Sequence, residues 1–208
     1  VSILNVVKDA ASRLNDAKDF KTFAVSNSQT SAFTATSTTS ARAGSNNITV
    51  SQVAKEQRSV SNAFASETAK FNSGSITLSL TSGSSSTTTT NITVSDASLQ
   101  GTVNAINAAN LGVTAEIVDT GASGNRYRIQ LIGETGAEKS FSLASSDSSI
   151  SFSSVQSAAD AQLNVNGIDF TRSSNVIDDV LTGVSLTLNT TTTGTANLNI
   201  SQDNGEVR

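Results

Sequence analysis

Asn166-Gly167 constrains this chain more than any other pair of its residues. It joins two short runs of alternating polar and apolar residues, Gln162-Leu163-Asn164-Val165 and Ile168-Asp169-Phe170-Thr171. Both residues of such a pair tolerate positive φ, as a turn matching the strand twist requires, so an antiparallel hairpin is expected. Leu163 and Val165 are expected to share one face, with Ile168 and Phe170 turned to the same core across the turn. Ser173, Ser174 and Asn175 carry oxygens able to cap a helix, predicted over 176–181. Thr182-Gly183 stops it, and Val184, Leu186 and Leu188 alternate as a further strand.

The same period of two recurs upstream. Phe23 and Val25, Phe33 and Ala35, then Ile48 and Val50 mark strands separated by Ser, Thr, Asn and Gly clusters. Residues 55–71 read as a strand followed by irregular chain. Ile76, Leu78 and Leu80 open a second unit, and 82–90, a Gly/Ser/Thr run without apolar content, is expected as an exposed loop. Ile92 and Val94 resume a strand. Leu99, Val103, Ile106 and Asn110 lie along one face of a helix capped by Asp96 or Ser98, which Gly112 ends. Strands around 113–118, Tyr127 to Leu131, Phe141 to Leu143, and Ile150 to Phe152 follow, with Gly121 to Gly124 as a hairpin turn.

Both ends carry a different rhythm. Ile3, Val7, Ala10, Leu14 and Ala17 are spaced as the a and d positions of a coiled-coil seam, so 1–20 is predicted to be helical and to pack on a partner helix. Asp203-Asn204-Gly205-Glu206 resembles a capping box that opens another helix. The fold class expected is mainly β with flanking α. It comprises a helical leg (1–20), a discontinuous β domain (21–73 and 158–202), an inserted β-rich domain with one helix (74–157), and the start of a second leg (203–208). The chain lacks Met, and it is expected to begin inside a longer protein or after a removed segment.

Several function classes are set aside by residue type. Without His or Cys, the usual transition-metal ligands, general base and disulfides are missing, so no catalytic residue, metal site or cofactor is assigned. Asp178-Asp179 is the nearest thing to a carboxylate pair, but neighbours on a helix diverge by roughly 100°. A formal charge of −4 argues against nucleic acid and anionic membranes as partners, because both demand clustered Lys and Arg. No apolar run approaches the ~20 residues of a membrane span, and no signal-peptide pattern is visible. With 14% charged residues, the surface must be built mainly from hydroxyls and amides. Asn-x-Ser/Thr triplets at Asn47, Asn91, Asn189 and Asn199 are what such a composition yields by chance, and they receive no function.

One order of motifs is specific. Asp160-Ala161, the Asn166-Gly167-Ile168 hairpin, Arg172-Ser173-Ser174-Asn175, Val176-Ile177-Asp178, Leu181, then Gly183-Val184, Leu186 and Leu188 together resemble the C-terminal region of the flagellar filament cap family, hook-associated protein 2. A second resemblance covers about 92–137. Ala105 to Ala115, Tyr127 to Leu131 and Thr135-Gly136-Ala137 are similar to a short module of flagellins and hook-associated proteins. The resemblance implies a structural protein, not an enzyme, at the extracellular tip of a bacterial flagellum, exported without a cleaved signal peptide. It also implies a homo-oligomer in the full-length protein, with flagellin and other hook-associated proteins as partners. The variable region of a flagellin or junction protein, or a glycan-binding surface adhesin, are the alternatives that composition leaves open.

Overall fold

The structure, a computed structural model, describes residues 22–71 and 74–203. The predicted helix over 1–20 and the capping box beyond Asp203 lie outside the described residues. Contacts divide the chain into two compact units. The first takes the described residues up to Ser51, together with Leu163–Phe170 and Asn175 onward. The second takes Gln52–Gln162 and Thr171–Ser174.

The first unit is built on two antiparallel sheets. One runs in the order β1 (Thr22–Asn27), β15 (Ala196–Asp203), β3 (Gly44–Gln52), β11 (Ala161–Val165), β12 (Ile168–Arg172). The other runs β13 (Val176–Leu181), β14 (Val184–Leu188), β2 (Phe33–Ser37). Alternation decides which side is inside: Ile48 and Val50, Leu163 and Val165, Val184, Leu186 and Leu188, and Leu198 and Ile200 are all buried. Phe33, fully buried, pairs with Leu188 across β2 and β14.

Two expectations are corrected in this unit. Residues 176–181 form strand β13 and not a helix. Thr182-Gly183 is a two-residue hairpin loop, with Leu181 opposite Val184 and Gly183 at φ +70°, so the apolar residues on either side are cross-strand partners. The β-branched Val176, Ile177 and Val180 suit the pleated surface, and long-range pairing overrides the local capping signal. Ile168 does not face the core with Phe170. It is 61% exposed, because β12 is an edge strand with only part of its length covered, and Phe170 itself is half-buried. A further correction belongs to the second unit, where the loop expected at 82–90 shrinks to 83–87.

In that unit, β10 (Phe152–Gln156), β4 (Glu56–Ser61), β8 (Tyr127–Thr135) and β7 (Thr114–Asp119) form one sheet. A second sheet contains β6 (Thr88–Val94), β5 (Ile76–Ser82) and β9 (Phe141–Ser145). Thr88, Thr89 and Thr90 extend β6 against Ser82, Thr81 and Leu80. Threonine is a good strand former even without apolar neighbours, and the Thr81 and Thr89 hydroxyls meet across the pair at 2.9 Å. The expected strand at 55–71 is β4, followed by irregular chain with single bridges Phe64–Tyr127 and Lys70–Ser98.

Helix α1 (Leu99–Ala109) packs Leu99, Val103 and Ile106 into the core with Leu78, Val94, Ile129 and Leu131. Ser98 caps it by accepting from Gly101 N at 3.0 Å. Asn110, left-handed at φ +50°, ends it two residues before the glycine expected to do so. The ends of this unit are stitched together. Lys55 N donates to Ala159 O at 2.8 Å and Ala159 N returns a bond to Lys55 O at 3.0 Å.

Candidate functional site

The seam residues Ile3, Val7, Ala10, Leu14 and Ala17 lie outside the described residues, so the interaction surfaces open to description are those of the two β units. The motif around Asn166 proves to be architectural. In the first unit, Asn166 (φ +53°) and Gly167 (φ +89°) make the turn. Asn166 then fastens it to β3, because its N–H donates to Asn47 O at 2.9 Å while its Oδ1 accepts from Asn47 N at 2.9 Å. Asn166 Nδ2 donates to Asn46 Oδ1 at 2.9 Å, and Asn197 Nδ2 donates to Ser45 Oγ at 2.7 Å. Amide groups thus knit the polar side of this sheet with no charged residue among them.

In the second unit, Asp160 Oδ1 accepts from Ala137 N at 2.8 Å, so this carboxylate orders a backbone turn. Asp178 and Asp179, weighed as a carboxylate pair, are both exposed on β13, in the stretch where its pairing with β14 shifts register.

Among the described residues, the exposed large apolar side chains share one kind of place. Val155 (63% exposed) lies on β10, Ile168 on β12 and Val176 on β13, each an edge strand of its sheet. β-Branched residues standing on sheet edges offer a partner both backbone hydrogen bonds and apolar contact.

A cleft of about 420 Å³ in the second unit is lined by Ser82, Gly83, Ser86, Glu134, Glu138 and Phe141, among others. Glu138 accepts four hydrogen bonds there. Its carboxylate takes bonds from Ser85 Oγ at 2.5 Å, Ser85 N at 3.0 Å, Ser84 Oγ at 2.9 Å and Ser84 N at 3.3 Å. These donors, the Ser85 hydroxyl foremost, pull its pKa down to about 2. Glu134 pairs with Lys139 at 2.6 Å. A carboxylate so engaged is a clasp for the β5–β6 loop rather than a proton donor. Sequence reasoning missed it, because the Gly/Ser run gave no sign of which acid would hold it. Among the described residues no three His, Cys, Asp or Glu side chains form a metal-binding group.

The chain can now be set against known proteins. Family models match at both ends: the flagellar hook-associated protein 2 N-terminus over residues 2–57 and its C-terminus over 158–208. No curated protein sequence matches the chain. Among solved structures, the D2-D3 domains of the flagellar cap protein FliD from Escherichia coli are 31% identical with a TM-score of 0.76, covering 88% of this chain and 100% of that one. The D1-D2-D3 domains from the same organism are 30% identical with a TM-score of 0.76 over 98% of this chain. This chain spans 64% of their length. FliD (HAP2) from Pseudomonas aeruginosa PAO1 is 28% identical with a TM-score of 0.66, covering 85% of this chain and 87% of that one.

Proposed function

The chain belongs to the flagellar hook-associated protein 2 family, the flagellar cap proteins, and we propose that it is the β-rich part of a filament cap. The observation that carries this is the arrangement of the matches. The family's two models fall on the two ends, and solved cap domains align across the β units between them. In this reading the protein is a structural assembly factor outside the bacterium, at the flagellar tip, exported without a cleaved signal peptide. It is a homo-oligomer in full length, and its partners are flagellin and other hook-associated proteins.

The mechanism is steric. The cap confines incoming flagellin while it folds and offers a moving set of binding sites for its placement. Residues 1–20 and the segment from 203 onward supply paired helices, with Ile3, Val7, Ala10, Leu14 and Ala17 as their seam. Between them the chain forms two β domains, the second inserted into the first. A surface of hydroxyls and amides suits a machine working outside the cell, since contacts between uncharged groups are not screened when ionic strength changes.

Deleting the gene in the bacterium of origin tests the reading. The expected result is loss of swimming with unpolymerised flagellin released into the medium, reversed by the full-length gene. Normal filaments and normal swimming in the deletion strain would overturn it.

A further inference from the structure

The sequence contains two Asn-Gly pairs, and the one at Asn166-Gly167 falls in a described, exposed turn. Asn-Gly is the dipeptide most prone to lose its side-chain amide, because glycine carries nothing that hinders its own nitrogen from reaching the preceding Cγ. Here every atom the reaction uses is engaged. Gly167 N, the nucleophile, donates to Asn164 Oδ1 at 2.9 Å. Asn164 is itself held by Asp169, with Nδ2 donating to Oδ1 at 2.7 Å. At Asn166, the Oδ1 accepts from Asn47 N and the leaving amide Nδ2 donates to Asn46 Oδ1, both at 2.9 Å.

We propose that Asn166 is a latent deamidation site, held closed by these hydrogen bonds and released when the turn lifts from β3 and Gly167 N leaves Asn164. When it lifts, Gly167 N loses its proton and attacks Asn166 Cγ. The Cγ–Nδ2 bond breaks, ammonia leaves, and a five-membered succinimide joins the side chain to Gly167 N. Water then adds to one of the two ring carbonyls and the ring C–N bond there opens. One product is aspartate. The other is isoaspartate, in which the main chain runs through Cβ and Cγ. Water is consumed and ammonia released, and no oxidant or reductant is needed.

The two products differ in what they do to the sheet. Aspartate keeps an acceptor for Asn47 N, and rotating the Asn46 amide presents an N–H to its second oxygen, so the hairpin redocks. Isoaspartate lengthens a two-residue loop by one backbone carbon, which the paired register of β11 and β12 does not accommodate. The modification therefore accumulates with the time the turn spends open, and its isoaspartate fraction alters one edge of the five-stranded sheet permanently.

The test incubates the full chain at mildly alkaline pH, folded or in guanidinium chloride, and follows amide-to-acid conversion in the peptide spanning 162–172 by mass spectrometry. Conversion in the folded chain is expected to be slower by more than about tenfold, because opening must break several hydrogen bonds before the ring can close. Asn164→Ala, which removes the acceptor from Gly167 N, is expected to speed conversion several-fold while the circular dichroism of the folded chain is retained. Equal rates in folded and denatured chains would overturn the proposal, as would a folded Asn164→Ala variant converting no faster than its parent. Should Asn164→Ala fail to fold, the ratio for the unaltered chain decides.

Discussion

Gln57 meets Phe141 as a neighbouring strand would: its Oε1 accepts from Phe141 N at 3.0 Å and its Nε2 donates to Phe141 O at 2.5 Å. Phe141 opens β9, an edge strand, and the carboxamide supplies the neighbour that β9 lacks on that side. Asn107 does the same for Ala115 on the edge strand β7, with bonds of 2.8 and 2.9 Å. Gln29 makes the same paired bonds to Thr193, in the loop that precedes β15, both at 2.9 Å. A side-chain amide carries the donor and acceptor of a peptide group, so it closes an edge without introducing charge.

Burial separates two of these clamps energetically. Gln57 is 6% exposed, whereas water reaches Asn107. Gln57→Leu strands the N–H and C=O of Phe141 away from solvent and is expected to cost about 2–4 kcal/mol. Asn107→Ala lets water take over and is expected to cost about 1 kcal/mol or less. Urea unfolding of both variants reads the difference, and equal losses would contradict it.

Acid should loosen the β5–β6 loop. The Glu138 carboxyl has its pKa lowered from an ordinary 4.5 to about 2 in the folded chain. Its contribution is therefore full above about 4.5 and is lost as pH falls through about 2. Amide hydrogen exchange at Ser84 and Ser85 is expected to rise across that window, after correction for the intrinsic pH dependence of exchange. Glu138→Gln should raise it at neutral pH and remove the acid dependence.

The hairpin strands should respond unequally to truncation. Leu163 on β11 is 2% exposed, and Leu163→Ala is expected to cost about 2–5 kcal/mol. Phe170, half-buried on the edge strand β12, should lose less than a fully buried ring, about 1–2 kcal/mol on change to Ala. Ile168→Thr should stay within about 0.5 kcal/mol. Denaturation midpoints at constant slope measure all three.

Two glycines at positive φ should differ as well. A Cβ on Gly167 would meet nothing within 4 Å, so Gly167→Ala carries only backbone strain of about 1–2 kcal/mol. A Cβ on Gly183 would stand 2.5 Å from Ala41 N and 2.7 Å from Ser40, adding a clash to the same strain. Gly183→Ala should lower the thermal midpoint clearly further.

Thr102 offers a gain. Its hydroxyl on α1 is buried and has no hydrogen-bond partner. Thr102→Val keeps the branched shape and removes the stranded group, so an increase of about 1 kcal/mol in unfolding free energy is expected.

What could be read in advance depended on whether the deciding interaction was local. Asn166-Gly167 and α1 with its Ser98 cap announce themselves within a few residues. The strand at 176–181 did not, because Ser173-Ser174-Asn175 offers a helix cap locally while the pairing of Ile177 with Leu186 runs across a turn. Thr182-Gly183 was the missed signal: two residues between apolar runs, as at Asn166-Gly167. β12 was placed but not its exposure, since its position at the edge of the sheet is a property of the whole topology. The amide clamps were out of reach for the same reason: Gln57 and Phe141 are 84 positions apart.

The paired bonds between Lys55 and Ala159 give the second unit one further property. Everything from 56 to 158 is a closed excursion whose two ends are already held together. Closing a longer or shorter excursion costs little, about 0.6 kcal/mol for each doubling of length, provided its ends still meet. The pair therefore acts as a socket. Descendants of this gene are free to enlarge, shrink or exchange what is plugged into it while the sheets of the first unit keep their register.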